Sequence, residues 1–300
     1  MASVKDWILA FRLRTLFLAA STVMLGSGLA LHEGMFSWVT VVFTLILALS
    51  AQILSNLAND LGDYQKGTDI TGNRKGPVRA VQSGRITTEE MKWGVAIAAV
   101  WVAVVGLALI LSTAGMIGWQ SAAIMLVVGL SCILAAVGYT LGKHAYGYRG
   151  WGDFFAFLFF GPVPVIGTYF LHVHSFDFQP VLPSIGSGLI SAMILNINNM
   201  RDIDNDCAAG KITLAAKLGL KKAKVYHTLL TCLMCACFLG YSFLYASRPW
   251  YRYLYVLVFL FPLKILAEIY QKSGKDLDPY LKQTSLFSFL LAIIFALCIN

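Results

Sequence analysis

The stretch NLANDLGDYQKGTD, residues 56–69, places three aspartates at the end of a long apolar run. A related stretch, NNMRDIDNDCAAGK, occupies residues 198–211 and also follows an apolar run. The two stretches therefore form a degenerate internal repeat. Carboxylates beside membrane-length apolar segments are costly, so their concentration at two such places points to function.

The apolar runs around these stretches decide the class of protein. The chain has 300 residues, of which 58% are hydrophobic and 13% charged, with a mean hydropathy of +0.71. This composition argues against a water-soluble fold. The runs lack the period-2 alternation of a membrane barrel but reach the roughly 20 residues that a spanning helix needs. We predict an all-α membrane protein, residues 1–300 forming a single domain, with about nine spans at residues 15–31, 36–56, 93–111, 117–139, 154–171, 182–200, 225–246, 253–270 and 284–299.

The distribution of Lys and Arg predicts how the chain crosses the bilayer. If the N-terminus is cytoplasmic, nine spans place nearly every basic loop on the cytoplasmic side, and only Arg248 and Arg252 fall on the other. The net charge of +8 is therefore explained by membrane topology rather than by nucleic-acid binding. We predict a multi-pass inner-membrane protein with its N-terminus and polar loops in the cytoplasm. We also expect the first span to be retained rather than cleaved as a signal peptide, because cleavage would leave an even number of spans.

The two polar stretches predict a metal-assisted phosphate site. Residues three or four apart share one face of a helix. Each stretch thus presents an oxygen-rich ridge, formed by Asn56, Asp60 and Asp63 in the first and by Asn198, Asp202 and Asp206 in the second. Mg²⁺ prefers oxygen ligands and often bridges protein carboxylates to substrate phosphates. Two facing ridges would hold a diphosphate between metal ions, whereas the plainer alternative is two solvated helix caps.

Further candidate residues fall on the same predicted side. The loop at residues 67–88 is rich in Gly and basic residues, which suits a lid over phosphate oxygens. Tyr139 and Lys143 end the fourth span and Asp153 begins the fifth, so a ring and a cation are available to a reacting allyl group and its leaving diphosphate. Interfacial anchoring accounts equally well for Tyr139. The remaining substrate-binding candidates are Asn59, Asp69, Arg79, Arg201 and Lys211.

A secondary transporter is the competing class of protein. Internal repeats and polar breaks in spanning helices also mark transport sites. Such sites lie near the middle of the bilayer, whereas the aspartates of this chain are predicted at helix ends with glycine-rich loops after them. The pattern therefore favours an enzyme, and Mg²⁺-independent uptake into liposomes would favour the transporter.

The two aspartate motifs on a nine-span scaffold resemble the UbiA superfamily of intramembrane aromatic prenyltransferases over nearly the whole chain. The stretches GPVRAVQSGRIT from residue 76 and LFFGPVPVIGTYF from residue 158 are similar to the branch that prenylates 1,4-dihydroxy-2-naphthoate. The chain departs from that pattern in minor ways, with Ile212 where relatives often carry a basic residue and Asp204 where glutamate is more usual.

The resemblance implies a helical bundle around a central cavity, open to lipid and capped on the cytoplasmic side. It implies Mg²⁺ as cofactor, the six ridge residues as metal and diphosphate ligands, and Arg79, Lys143 and Lys211 as diphosphate contacts. The implied reaction moves a polyprenyl group from a polyprenyl diphosphate to 1,4-dihydroxy-2-naphthoate with loss of carbon dioxide and diphosphate, giving demethylmenaquinone. Other acceptors within the superfamily are 4-hydroxybenzoate, homogentisate and haem.

Overall fold

Helices make up the regular structure in the computed structural model, which describes residues 2–72, 74–245 and 249–300. Within these ranges there is no strand, and the α-helices are α1 (Val4–Phe11), α2 (Leu16–His32), α3 (Trp38–Gln65), α4 (Thr88–Gly138), α5 (Gly152–Phe159), α6 (Pro162–Val173), α7 (Val181–Arg201), α8 (Ile203–Ala208), α9 (Leu214–Leu244), α10 (Leu260–Gln271) and α11 (Asp278–Ile299). Short 3₁₀ segments lie at Leu13–Thr15, Tyr146–Tyr148, Trp250–Phe259 and Gly274–Leu277. The predicted all-α class is confirmed.

The structure has fewer separate membrane-length helical stretches than the nine spans predicted. Among the described residues, eight helical stretches are long and apolar enough to cross a membrane. One of them, α4, has 51 residues and would measure about 76 Å if straight, more than twice the roughly 30 Å hydrocarbon core. Gly118 breaks it with φ 76° and ψ 156°, a backbone conformation that glycine adopts readily. The third and fourth predicted spans are the two halves of α4, so the count of nine is approximate.

The two halves of α4 are the two arms of one helical hairpin. Val102 from the first half and Ile133 from the second belong to the same apolar cluster, and both line the same cavity. A helix that ran straight through Gly118 would carry these side chains tens of ångströms apart, since each residue adds 1.5 Å. The turn at Gly118 therefore explains how one long helical stretch supplies two spans.

Two more predicted spans are not single continuous α-helices. The span predicted at residues 154–171 is split into α5 and α6 at Gly161 and Pro162, because proline has no backbone N–H to continue a helical ladder. The span predicted at residues 253–270 begins as the 3₁₀ segment Trp250–Phe259 and continues as α10. The predicted end of the seventh span at Ala246, and Arg248 in the following loop, lie outside the described residues.

The helices close into a bundle with α7 near its centre. In α7, 61% of the most apolar stretch is buried, the highest fraction among the spans, and α7 packs against α5, α6, α9 and α11. The first and last spans, α2 and α11, also pack together. Their seam includes a hydrogen bond between the Ser21 and Ser288 hydroxyls, 2.7 Å apart, and a close approach of Gly28 to Ala296. Small residues allow such close helix contacts in membranes.

The fold brings both aspartate stretches to the same end of the bundle. The first stretch begins within the last turns of α3, and the second runs from the end of α7 into α8. The Asn205 side chain donates a hydrogen bond to the Thr68 carbonyl at 3.1 Å, and Lys75 forms a 2.9 Å ion pair with Asp204. The internal repeat thus corresponds to two adjoining polar segments.

Candidate active site

A cavity of about 580 Å³ lies between the helices, with apolar walls and one polar end. Aromatic side chains form part of the wall, including Tyr146, Phe155 and Phe159. The polar end is formed by Arg12, Arg14, Thr15, Gln52, Asn59, Asp63, Arg79, Tyr139, Asn198 and Lys211. The arrangement suits an amphiphilic molecule with a long apolar part and an anionic head.

Asp63 is the centre of the polar end. Its carboxylate lies 2.6 Å from Arg79 Nη1 and 3.4 Å from Lys211 Nζ, and it accepts a 2.7 Å hydrogen bond from the Tyr148 hydroxyl. Asp63 comes from the first aspartate stretch and Lys211 from the second. Because Asp63 is only 2% exposed, these contacts hold two cations in a site largely shielded from bulk water.

A second carboxylate, Asp69, extends the cluster on the side of the lid loop. Arg74 pairs with Asp69, and Arg79 Nη1 lies 3.3 Å from its other oxygen. Burial raises the pKa of Asp69, although the two arginines act in the opposite direction. Arg79 therefore bridges Asp63 and Asp69, and the loop predicted as a lid is fastened to the end of α3.

Asp206, in the second aspartate stretch, is a buried carboxylate with unused bonding capacity. It is 3% exposed, and among the described residues its side chain accepts no hydrogen bond and has no cation within 4 Å. Burial raises its pKa to about 6, and the charge of Lys211 offsets this only in part. The Lys211 amide donates a 2.8 Å hydrogen bond to the Asp206 carbonyl, so Lys211 and Asp206 are held side by side. Asp206 is thus available to a cation from outside the chain.

Two of the predicted ridge residues on α3 have other partners. The Asn56 amide donates hydrogen bonds to the Phe11 carbonyl at 2.8 Å and to the Thr15 hydroxyl at 2.9 Å. The Asp60 carboxylate accepts hydrogen bonds from the amides of Ala80 and Val81 at 3.1 and 3.3 Å. Neither side chain lines the cavity, because the cavity-facing positions of α3 are one residue earlier, as at Ser55 and Asn59. Their predicted role as metal ligands remains a prediction.

The end of α7 forms a buried clamp around Arg201. This side chain contacts Asp202 through two nitrogens, at 3.2 and 2.5 Å, and Asp278 at 2.5 Å. It also donates a 2.9 Å hydrogen bond to Asn198. Burial by itself would raise the pKa of Asp202, but the hydrogen bonds and charge of Arg201 outweigh it and lower the pKa. The predicted ligands Asp202 and Arg201 therefore satisfy each other, while Asn198 lines the cavity.

The remaining predicted site residues divide into two groups. Tyr139 is in the cavity wall, and Asn59 lines the polar end while its carbonyl accepts a 2.6 Å hydrogen bond from Arg79. Lys143, by contrast, is exposed and does not line the cavity, because the turn after Tyr139 directs it outward. Asp153 is buried outside the cavity lining, and its Oδ1 has no hydrogen-bond partner. The structure thus brings Tyr139 and Asn59 to the cavity and leaves Lys143 and Asp153 outside it.

Two residues of the site, Tyr148 and Arg12, are not among the predicted site residues. Tyr148 hydrogen-bonds both Asp63 and the Thr68 hydroxyl, and its ring lies 5.2 Å from Lys211 Nζ. Arg12 enters the cavity from the turn between α1 and the next 3₁₀ segment. A tyrosine in a glycine-rich loop and an arginine near a first span are ordinary interfacial residues, so spacing alone does not single them out.

Comparison with known proteins identifies the fold and the motifs. The model of the UbiA prenyltransferase family matches residues 19–297. The chain belongs to the UbiA prenyltransferase family. This confirms the predicted resemblance, and the match includes both aspartate stretches and all spans from α3 to α10.

Three curated relatives that match nearly the whole chain share one printed name, 1,4-dihydroxy-2-naphthoate octaprenyltransferase. The protein of that name from Haemophilus influenzae is 39% identical, with 98% of this chain and 95% of the relative covered. Its namesakes from Escherichia coli and Mycobacterium tuberculosis are 35% and 33% identical, covering 93% and 99% of this chain and 88% and 97% of their own length.

Solved structures of UbiA homologues share the fold at low sequence identity. A homologue from Aeropyrum pernix has a TM-score of 0.70 at 15% identity, covering 95% of this chain and 96% of its own. A homologue from Archaeoglobus fulgidus, described as bound to DMAPP and Mg²⁺, has a TM-score of 0.69 at 14% identity, covering 98% of this chain and 99% of its own. These similarities confirm the predicted helical bundle of this UbiA family member.

The carboxylates of this UbiA protein fit a hard divalent cation. Among the described residues no group of three or more His, Cys, Asp or Glu is arranged to hold a metal, and Asp63 and Asp69 each contact an arginine. Mg²⁺ commonly uses only one or two protein carboxylates and completes its shell with water and phosphate oxygens. Asp63 forms an ion pair with Lys211, and Asp206 interacts with the charge of Lys211 over a longer distance, so these two carboxylates fit that requirement.

Removing the Tyr148 hydroxyl tests the Asp63 cluster. Burial, followed by the charge of Asp63, raises the pKa of Tyr148, so its hydroxyl stays protonated and donates to that carboxylate. We expect Tyr148→Phe to lower kcat about 10-fold, since a hydrogen bond to a charged group contributes roughly 1.5–3 kcal/mol. Steady-state prenyl transfer provides the measurement. Tyr270→Phe, which removes a hydroxyl bonded to Thr228 on the exposed surface, serves as control and should leave kcat unchanged.

Proposed function

We propose that this chain transfers a polyprenyl group from a polyprenyl diphosphate to 1,4-dihydroxy-2-naphthoate, with release of diphosphate and carbon dioxide, in menaquinone biosynthesis. The observation that carries the proposal is the Asp63, Arg79 and Lys211 cluster at the polar end of an apolar cavity. The names of the curated relatives, at 33–39% identity over nearly the full chain, support the choice of acceptor.

The cations of the cluster stabilise the leaving group. When the allylic C–O bond ionises, its electron pair goes to the diphosphate and leaves a carbocation. Arg79 and Lys211 point at the polar end and neutralise the charge that develops there, which is electrostatic catalysis by preorganised groups. Asp63 fixes both cations before the substrate arrives, so little reorganisation accompanies the reaction.

We assign the proposed Mg²⁺ to the carboxylates of Asp63 and Asp206. When bound, the ion supplies additional positive charge to the diphosphate oxygens. Asn198 and Asn59 line the same end and add polar contacts for the substrate head. The Mg²⁺-bound structure of the Archaeoglobus fulgidus homologue supports divalent-metal use by this chain.

The cavity walls protect and orient the carbocation. Tyr139 and Phe155 present aromatic rings, whose negative faces attract cations. The surrounding apolar side chains exclude water, which would otherwise trap the cation. The cation then bonds to the ring carbon that carries the acceptor's carboxylate, and the carboxylate leaves as carbon dioxide. This substitution leaves both hydroxyl groups of the acceptor in place, so the immediate product is the quinol. A separate oxidation then converts the quinol to demethylmenaquinone.

The distribution of basic loops and the membrane-length helices support a proposal for the setting of the reaction. We propose that residues 1–300 act as one membrane domain in the cytoplasmic (inner) membrane, with the polar end of the cavity at the cytoplasmic surface. The polyprenyl tail then stays in the lipid while the diphosphate remains at the interface. Eight membrane-length helical stretches among the described residues support the multi-pass arrangement.

The test is a reconstituted transfer assay with the detergent-purified chain. Supplied with Mg²⁺, a polyprenyl diphosphate and 1,4-dihydroxy-2-naphthoate, it is expected to release diphosphate and form a prenylated naphthalenediol, followed by mass. EDTA should abolish the product, and added Mg²⁺ should restore it. Turnover with 4-hydroxybenzoate, homogentisate or haem alone would reject the acceptor but keep the mechanism. No turnover with any acceptor would reject prenyl transfer.

A further inference from the structure

Arg12 is the one charged side chain lining the cavity that lacks an ion pair within the described ranges. The others that line it are Arg14, Asp63, Arg79 and Lys211, and each lies within 4 Å of an opposite charge. The Nη2 atom of Arg12 is buried and has no hydrogen-bond partner. A buried cation without a direct partner is costly even though the charges of Asp60 and Asp63 act on it from a distance, so the structure retains a feature that folding alone does not explain.

The backbone at Arg12 is also unfavourable and is actively held. Its φ of 51° is in the left-handed region, which residues other than glycine rarely adopt. The turn is fastened by Asn56, which donates to the Phe11 carbonyl and the Thr15 hydroxyl, and by the Thr15 hydroxyl, which donates to the Arg12 carbonyl at 2.9 Å. Gln52 in turn donates a 3.1 Å hydrogen bond to Asn56. Such strain persists only where surrounding contacts impose it, commonly at ligand clamps.

Space for a flat ring adjoins Arg12. Thr15 and Gln52 line the cavity next to the turn, and one helical turn farther along α2 and α3 the lining residues are the small Ala19 and Ala48. This leaves room between the two helices. The diphosphate contacts Arg79 and Lys211 are already paired with Asp63, so Arg12 adds a separate positive charge for a second anion.

We propose that Arg12 binds the carboxylate of the aromatic acceptor and so determines specificity for aromatic acids; the inference rests on the proposed function. A guanidinium matches a carboxylate with two parallel hydrogen bonds. Asn56 and Gln52 are positioning residues, since they act through the turn that presents Arg12. The acceptor ring lies against the alanine-lined strip of α2 and α3.

The test is equilibrium binding to the purified full chain, with Mg²⁺ and inorganic diphosphate filling the donor site so that no transfer occurs. The probes are 1-hydroxy-2-naphthoate and 1-naphthol, which differ by the carboxylate. The wild type should bind the acid about 10- to 100-fold more tightly, as expected for a hydrogen bond to a charged group. Arg12→Gln should abolish this ratio and Arg12→Lys should retain part of it, with 1-naphthol affinity unchanged.

Arg14→Gln is the matched control, because it removes the same charge from a cavity arginine that is already paired with Asp278. It should keep the wild-type ratio. Equal loss of the ratio in the Arg12 and Arg14 variants, or a wild type that binds both probes equally, would overturn the proposal. So would an Arg12→Gln protein that loses affinity for inorganic diphosphate instead of the acid. Failure of the transfer assay with intact discrimination would reject the proposed reaction and leave the Arg12 assignment standing.

Discussion

Asp63→Asn is expected to lower kcat by about 10²–10³-fold, the usual cost of losing one preorganised electrostatic group. The carboxylate holds Arg79 at 2.6 Å and Lys211 at 3.4 Å, and it is the one acidic side chain that lines the cavity within the described ranges. The asparagine amide keeps the volume but removes the charge that fixes both cations. It also removes an oxygen assigned to the metal, so the Mg²⁺ concentration for half-maximal rate should rise.

The control for this variant is Asp204→Asn, made on the second stretch at an exposed carboxylate paired with Lys75. Its kcat should stay within about twofold of wild type, because surface ion pairs contribute little. Steady-state transfer by detergent-purified, folded protein at varied Mg²⁺ concentration is the measurement. A wild-type rate for Asp63→Asn would exclude Asp63 as the centre of the site.

Arg201→Met is expected to destabilise the bundle rather than to weaken substrate binding selectively. The substitution leaves Asp202 and Asp278 without the cation that joins them, and Asp202 is buried. Removing one partner of a buried ion pair costs about 3–5 kcal/mol. Thermal unfolding in detergent should therefore show a clearly lowered midpoint, with a smaller change in the KM for prenyl diphosphate.

Lys272→Met is the comparison for Arg201→Met, because it removes a cation from the partly exposed pair with Glu268. Its unfolding midpoint should remain close to that of the wild type. The alternative from the sequence is that Arg201 binds substrate. A normal unfolding midpoint combined with a greatly raised KM for the diphosphate would establish that role and reject the structural clamp.

The features predicted well from sequence are those that depend on long stretches. Apolar runs, basic loops and a repeated aspartate pattern are each averaged over many residues, and they led to the helical bundle, the family and the adjoining polar segments. The division of α4 into two spans was predicted close to the turn at Gly118, whereas the split of the span predicted at residues 154–171 into α5 and α6 was not. Breaks of this kind alter the helix count without altering the class.

The assignment of individual ligands was harder, because it depends on which face a helix presents. On α3, the residues Asn59 and Asp63 line the cavity, while Asn56 and Asp60 hold neighbouring turns. Both sets satisfy the three- or four-residue spacing, and a rotation of about 100° per residue separates them. Arg12 and Tyr148 depend on tertiary contacts between segments far apart in sequence, which spacing does not encode.

The seam between α2 and α11 has a consequence for how the protein is made. The ribosome delivers α2 about 250 residues before α11, yet Leu281 and Ser285 of α11 form part of the cavity wall. Asp278, at the start of α11, also joins Arg14 to Arg201. Until α11 is inserted, the side of the cavity that it covers is open to lipid. The cavity is therefore complete only after α11 has docked, and catalytic competence depends on that docking.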